Sequence, residues 1–336
     1  MRDQRLAGII FSKHHDTKGG PVKISETLAR ATEPIFSFEL TPPERGNSIS
    51  RVHEIVDQLM PFHPAFIDVT NHAADSWFEE LGDQSFVRHI TRKRPGTLGL
   101  CAAIKYRYNV EAVPHLLCMG FTQEETEDAL IELSFLDIHN VVALRGDHTE
   151  WKEVRRGKRN KYAGDLVEQI MAMNHGEYLH HMNDADPTAF CVGVAGYPEK
   201  HFEAPSLSYD IEMLKKKVDA GAEYVITQMF FDNTAFLDYI EKCRAAGIEV
   251  PIIPGLKVLT RKSLLKNIPR HFHVDIPDDL VSEIMEARSP EHVMEIGRDH
   301  ALSQARGLLE AGVPGIHFYV YSDAPVAAEV VRELGL

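Results

Sequence analysis

Acidic residues at the ends of apolar runs are where this chain first offers chemistry. The run Asn140-Val141-Val142-Ala143-Leu144 stops at Arg145-Gly146-Asp147, and Ile35-Phe36-Ser37-Phe38-Glu39-Leu40 carries a glutamate just before Thr41-Pro42-Pro43. Short apolar runs closed by turn residues suit strands covered on both faces, and parallel α/β folds keep their chemistry at the C-terminal strand ends. Thr70, Tyr197, Gln228 and, if the third strand falls at residues 110–118, His115 stand at equivalent ends. Two carboxylates in a partly apolar mouth can differ in pKa, one staying protonated near neutral pH to give up a proton while the other remains charged. Each residue also has a plainer reading: Asp147 as a cap of the next segment, Glu39 as an exposed strand end, Gln228 as an amide satisfying backbone, His115 as a core histidine. No Ser/His/Asp or Cys/His grouping stands out, and no trio of metal ligands does. That favours a bound organic cofactor for the hard step, with the protein supplying orientation and a proton.

Elements of alternating type have to position those ends. Ser25 opens a short helix ahead of the first strand, and Ser48 caps a helix with Ile49, Val52, Ile55, Val56 and Leu59 on one face. The second strand is Phe66-Ile67-Asp68-Val69-Thr70, and residues 71–94 read as a polar, irregular insertion or long loop anchored by Trp77, Phe78 and Phe86. Residues 98–104 and 110–118 compete for the third strand, because pattern alone cannot separate a short apolar strand from the inner face of a helix. Thr122 with Glu125 forms a capping box for the helix that leads into the Asn140 run. The second half repeats the alternation: strands at Phe190 to Ala195, Tyr224 to Gln228, Val250 to Gly255 and Gly315 to Val320 are separated by helices, two of them closed by Gly221 and Gly247. Eight strands alternating with helices predict an α/β fold, a (β/α)8 TIM barrel in a single domain, with residues 1–30 an N-terminal arm and short helix and 31–336 the barrel. A doubly wound sheet is the runner-up, but no G-x-G-x-x-G follows the first strand and no G-x-x-x-x-G-K-[ST] occurs, so a nucleotide cofactor must be held by other means.

The bulk properties narrow the function classes. A formal net charge of -14 with no basic stripe argues against a nucleic-acid partner. The basic stretch from Lys152 to Lys161 reads as a solvated loop or a lid touching a phosphate, and His14-His15-Asp16 as solvated rather than metal-binding. The four cysteines show no paired or cluster spacing, which fits a reducing compartment, and neither a membrane-length apolar run nor a signal-peptide pattern is present. A cytoplasmic protein without membrane contact is expected.

The motifs taken together resemble a known family. Phe36-Ser37-Phe38-Glu39-Leu40-Thr41-Pro42-Pro43, Val113-Pro114-His115-Leu116, Ala143-Leu144-Arg145-Gly146-Asp147, Gly196-Tyr197-Pro198-Glu199-Lys200-His201, Lys217-Val218-Asp219-Ala220-Gly221-Ala222, Ile226-Thr227-Gln228-Met229-Phe230-Phe231-Asp232 and His317-Phe318-Tyr319 are similar to those of the bacterial catalytic type of 5,10-methylenetetrahydrofolate reductase. The resemblance runs from about Ile35 to Tyr321 and favours residues 110–118 as the third strand. It implies a barrel carrying non-covalent FAD, reduced by NAD(P)H and reoxidised by methylenetetrahydrofolate in a ping-pong cycle that yields 5-methyltetrahydrofolate and feeds methionine synthesis. Glu39 then matches the acid that protonates N10 of the folate and opens its five-membered ring to an iminium, which hydride from the flavin reduces. Asp147 matches a carboxylate beside flavin and pterin, Gln228 an amide that orients folate and nicotinamide in turn, and Thr70 a nicotinamide contact. Asn71, Ala73, His115, Arg145, Gly146, Ala163, Tyr197, His201, Ala204, Asp210, Lys216 and Lys217 match FAD contacts, the lysine pair standing in for a glycine-rich phosphate loop.

The chain also departs from the family pattern. Leu264 aligns where some members have a folate-binding Gln, Asp323 where an Arg follows the eighth strand, and Met213 where an FAD-contacting Asn occurs. An Asp at 323 cannot pair with the glutamate tail of folate, so tail binding must use other groups or be weaker. A homo-oligomer is expected, without a regulatory module after the barrel. Two other readings are a non-catalytic barrel subunit of a redox complex, against which Glu39, Asp147 and Gln228 argue, and an FAD barrel of the proline-dehydrogenase kind, in which Glu39 would have no evident task.

Overall fold

A ring of eight parallel strands forms the centre of the computed structural model, which describes residues 21–82, 85–146, 157–320 and 323–335. Going round the ring, β1 (Ile35–Leu40) lies beside β2 (Phe66–Val69), followed by β5 (Glu111–Leu117), β6 (Asn140–Leu144), β7 (Cys191–Gly196), β8 (Tyr224–Met229), β9 (Ile252–Leu256) and β10 (Gly315–Val320), which pairs back onto β1. The expected TIM barrel is therefore present, closed by the register Ile35↔Gly315 through Leu40↔Val320. Near-continuous burial along these strands explains why they read as unbroken apolar runs: helices cover the outer faces and side chains fill the inside.

Helices α2 (Ser50–Leu59), α3 (Thr97–Tyr108), α4 (Gln123–Phe135), α5 (Ala163–Asn174), α6 (Leu207–Asp219) and α7 (Asn233–Ala245) follow successive strands. Between β9 and β10 come α8 (Leu264–Phe272), α9 (Asp278–Glu286) and α10 (Pro290–Glu310), and α11 (Ala324–Leu334) follows β10. The capping box read at Thr122 is formed in both directions, Thr122 Oγ1 accepting from Glu125 N at 3.1 Å and Glu125 Oε2 from Thr122 N at 3.0 Å. The contest for the third strand falls to residues 111–117, while 98–104 lie within α3, whose Leu100, Cys101 and Ile104 are buried.

Residues 71–94 differ from the irregular loop expected. They hold an antiparallel hairpin, β3 (Asp75–Glu80) paired with β4 (Phe86–Thr91). β-forming residues flank the turn near Gly82, and the rings of Trp77 and His89 stack at 4.2 Å across the pair while His89 Nε2 meets Glu79 Oε2 at 2.7 Å. The alternation is masked in sequence because both faces of the ribbon are solvated: Trp77, Phe78 and Phe86 are exposed.

The floor of the barrel is closed by α1 (Ile24–Arg30). Ile24 and Leu28 join Phe66, Val113, Val142, Tyr224 and Ile253 in one buried cluster, and Asn140 Oδ1 accepts from Ile24 N at 2.9 Å. Glu223 takes Lys23 Nζ at 3.0 Å and Ser25 Oγ at 2.6 Å. The arm expected over residues 1–20 lies outside the described residues. Among the described residues no helix is long and apolar enough to cross a membrane, and no group of three His, Cys, Asp or Glu is placed to hold a metal ion.

Candidate active site

Three neighbouring strands bring three ionisable side chains together at the barrel's upper interior. Glu39 on β1 and Asp68 on β2 are register partners, so their side chains emerge side by side, and His115 on β5 stands beyond Asp68. His115 Nε2 lies 3.4 Å from Asp68 Oδ2 and 3.6 Å from Glu39 Oε2. All three are buried, at 9% exposure for Glu39, 6% for His115 and 0% for Asp68, so water screens their interaction little. Burial pushes the Glu39 carboxyl up to about 7; the His115 charge pulls it back, Asp68 raises it and Lys257 lowers it. Burial also works against a charged His115, but the Asp68 hydrogen bond and the charges of Glu39 and Asp68 outweigh it, leaving its pKa above the usual value. The result is a protonated acid poised near neutrality beside a cation-stabilising pair.

On the other side of β1, beyond β10, Lys257, just past β9, is held by Tyr319 O at 3.0 Å and Asp323 Oδ2 at 2.9 Å. The Tyr319 hydroxyl donates to Thr227 O at 2.6 Å, and Ser37 Oγ meets His317 Nδ1 at 2.9 Å below the acid. Burial brings the His317 pKa down to about 4, so its ring stays neutral. Gln228 Oε1 accepts from Met229 N at 2.9 Å, the backbone-satisfying role its plainer reading anticipates, and its NH2 end remains for a further partner. Thr70 follows β2, its hydroxyl 3.2 Å from His72 Nε2 and its carbonyl accepting from Thr97 Oγ1 at 2.9 Å.

A second cluster forms where the loops after β6 and β7 meet α6. Arg145 pairs with Glu203, and the rings of Tyr197 and His201 meet edge-on at 4.8 Å. Asp210 Oδ2 accepts from His201 N at 2.9 Å, and Lys217 Nζ donates to Ala195 O at 2.7 Å. Burial lowers the Lys217 ammonium to about 8. It also lowers the His201 pKa, an effect Asp210 opposes and the Arg145 and Lys217 charges reinforce, so both cations act on one spot. Such a corner suits a multiply charged anion. Lys216 is exposed and paired with Glu212 at 3.0 Å, so the two lysines have different partners. Ala163 opens α5, Ala204 O accepts from Lys200 Nζ at 2.7 Å, and Gly146 sits at φ +83 against Leu117 and Met119. Asn71 and Ala73 follow β2, where Ala73 touches Gly120 closely enough that a side chain there would collide.

Of the residues singled out in sequence, the structure brings Glu39 and His115 together and gathers Arg145, Tyr197, His201, Asp210 and Lys217 into the second cluster. Asp147 lies outside the described residues, as do residues 152–156, the first half of the basic stretch from Lys152 to Lys161. Among the residues where the chain departs from the family pattern, Asp323 serves Lys257, Leu264 is buried in the cluster with Met229 and Phe231, and Met213 is partly buried in α6. Sequence reasoning missed Asp68, Lys257 and His317. Their signal was a charged or polar residue inside an otherwise apolar strand, or one step past it, which in a barrel means a side chain aimed at the interior.

A family model described as methylenetetrahydrofolate reductase matches residues 23–335. The chain is 31% identical over 316 residues to a 5,10-methylenetetrahydrofolate reductase of Salmonella typhimurium, covering 93% of this chain and 95% of that protein. It is 30% identical over 301 residues to the protein of the same name from Pectobacterium carotovorum, covering 89% and 90%. Against methylenetetrahydrofolate reductase 1 of Schizosaccharomyces pombe it is 30% identical over 306 residues, 90% of this chain but 46% of that one. The chain thus spans about half the length of the eukaryotic relatives it matches. A solved structure described as an uncharacterized protein from Clostridium thermocellum that binds two copies of 5-methyl-5,6,7,8-tetrahydrofolic acid shares the fold, with a TM-score of 0.59 at 13% identity over 92% of this chain and 98% of that one.

Proposed function

The chain belongs to the methylenetetrahydrofolate reductase family, and from that premise we propose that it reduces 5,10-methylenetetrahydrofolate to 5-methyltetrahydrofolate, with NAD(P)H as donor and FAD between the two. The observation that supports this most is Glu39: a carboxyl buried at the mouth of the barrel, titrating at about 7 beside His115. Opening the five-membered ring of the folate requires a proton at N10, and an acid with a pKa near the working pH delivers it best. After the transfer, the Glu39 carboxylate has His115 and Lys257 as nearby positive charge.

The residues of the second cluster fit a dinucleotide cofactor. Arg145 and Lys217 supply cations for its diphosphate where the sequence has no glycine-rich loop, and the left-handed turn at Gly146 keeps backbone free of a side chain on the same rim. Asn71, Ala73, Tyr197, His201 and Asp210 would line the remainder, with Ala163, Ala204 and Lys216 at its edge. A flavin held there supplies the hydride relay between nicotinamide and folate. Thr70 would meet the nicotinamide, and the NH2 end of Gln228 would orient the two substrates as they use the same mouth in turn. Asp147 completes the reading as the carboxylate that stays charged. Cytoplasmic location, assembly as a homo-oligomer and a place upstream of methionine synthesis are part of the same proposal.

The test is the anaerobic visible spectrum of the purified protein, with NADH or NADPH added first and methylenetetrahydrofolate second. Bleaching of a flavin band followed by its return is expected. A protein that takes up no flavin on reconstitution, or whose reduced flavin is indifferent to the folate, overturns the reading.

A further inference from the structure

Asp68 is the one member of the acid cluster that the proposed chemistry leaves without a task. It is fully buried in mid-strand, yet among the described residues its Oδ1 has no hydrogen-bond partner and its one side-chain hydrogen bond is to His115 Nε2 at 3.4 Å. A carboxylate kept only for the fold would have both oxygens satisfied, since an unpaired buried acceptor costs about 1–3 kcal/mol. A carboxylate can only accept, so the proton between Asp68 and His115 belongs to the ring, and that same nitrogen lies 3.6 Å from Glu39 Oε2. One imidazole nitrogen thus bonds to Asp68 and lies close to Glu39, two carboxyl groups on adjacent strands in register.

We infer that Asp68 is a positioning residue for the proton donor: it holds the His115 imidazole against Glu39 and supplies the counter-charge that keeps this ring cationic when Glu39 gives up its proton. The step balances simply. The Glu39 O–H bond breaks, a bond from that proton to a substrate nitrogen forms, and the carboxylate left behind faces an imidazolium already in place. The inference rests on the reading of Glu39 as the acid. The charged and titratable groups facing the pair are Lys257 beside Glu39, with His317, Tyr224 and Cys101 around Asp68.

Replacing the carboxylate has opposed effects on Glu39, which decide the sign. Asp68→Asn removes a repelling negative charge, but it also withdraws what keeps His115 cationic, and the His115 charge acts on Glu39 more strongly than Asp68 does. The midpoint of Glu39 therefore moves upward in Asp68→Asn, and at least as far upward in His115→Gln, where Asp68 stays charged. The midpoint is read by infrared or carbon-13 titration of the carboxyl in flavin-free protein, with a Glu39→Gln background identifying the signal, and the rates of the two half-reactions are read in the loaded enzyme. Expected are the two upward shifts and a folate half-reaction slowed roughly tenfold more than the nicotinamide one, a fraction of the roughly hundredfold or more that the general acid itself contributes. An unmoved or falling midpoint in Asp68→Asn, or equal slowing of both half-reactions, overturns the inference. If Asp68→Asn does not fold, the smaller neutral replacement Asp68→Ser decides it by the same criteria. Failure of the wild-type protein to react with folate would refute the function, while the titration would still decide whether Asp68 governs Glu39.

Discussion

Glu39→Gln should make the protein more stable above about pH 5, by an amount that grows until about pH 7 and is constant beyond it. In the unfolded chain the carboxyl loses its proton near 4.5, whereas in the fold it keeps it to about 7, chiefly because it is buried. Between those values the folded state binds more protons than the unfolded one, so stability falls as pH rises through the window and levels off above it. The gap from 4.5 to about 7 is worth roughly 3 kcal/mol as an upper bound. The variant also deprives His115 of a partner that helps hold its pKa up, which offsets part of the gain. The expected outcome is that Glu39→Gln matches the wild type at about pH 4.5 and exceeds it by about 1–3 kcal/mol at about pH 8. Urea unfolding of the flavin-free proteins at the two pH values measures this directly. A stability difference that is the same at both, or a variant weaker at the higher pH, would refute the argument that burial strains this carboxylate. The prediction also carries a trade-off, because the same substitution removes the acid.

In kinetics, Glu39→Gln should leave flavin binding and nicotinamide oxidation in place while abolishing folate reduction; equal loss of both half-reactions in stopped flow would mark the residue as structural. Lys217→Met should weaken flavin retention roughly tenfold to a hundredfold, the worth of a charge-assisted hydrogen bond, as read by equilibrium dialysis; in the wild type, affinity should decline as pH rises through about 8, where the ammonium loses its proton. Asp323→Asn strips the buried Lys257 of its carboxylate and should destabilise the fold by about 3 kcal/mol in chemical denaturation. Gly297→Ala should cost about 3 kcal/mol or prevent folding, because a Cβ there would land on the Leu259 carbonyl that α10 packs against.

The barrel was legible in sequence because parallel strands buried on both faces give unbroken apolar runs, each closed by a turn residue. Pattern alone could not separate α3 from β5: Leu98 to Ile104 is as apolar as a strand, since α3 buries one broad face between β5 and its neighbours. The β3–β4 hairpin was hidden for the opposite reason, as a ribbon solvated on both sides keeps no burial-driven alternation. The ends of β1 and β5 pointed to Glu39 and His115, which a strand-end rule finds by construction. Asp68 and His317 escaped because that rule looks at strand ends, whereas β2 and β10 carry them within the run; Lys257 escaped because the strand read as ending at Gly255, while β9 runs on to Leu256. Lys216 and Lys217 are adjacent in sequence, but a helix turns about 100° per residue, so they face different surroundings.

The α1 floor has a consequence for how the chain is made. Ile24 waits for Asn140, 116 residues later, and Lys23 and Ser25 for Glu223, 200 and 198 residues later. Ser37 on β1 finds His317 only after 280 residues have been added. Contacts of such sequence separation form slowly, because the intervening loop must close before any of them forms. During synthesis β1 therefore stands with an open edge and α1 with a bare apolar face until nearly the whole barrel has left the ribosome. An unpaired parallel edge is what recruits other chains, so slowing translation between β1 and β10 should raise aggregation of the nascent protein while leaving the finished fold unaffected.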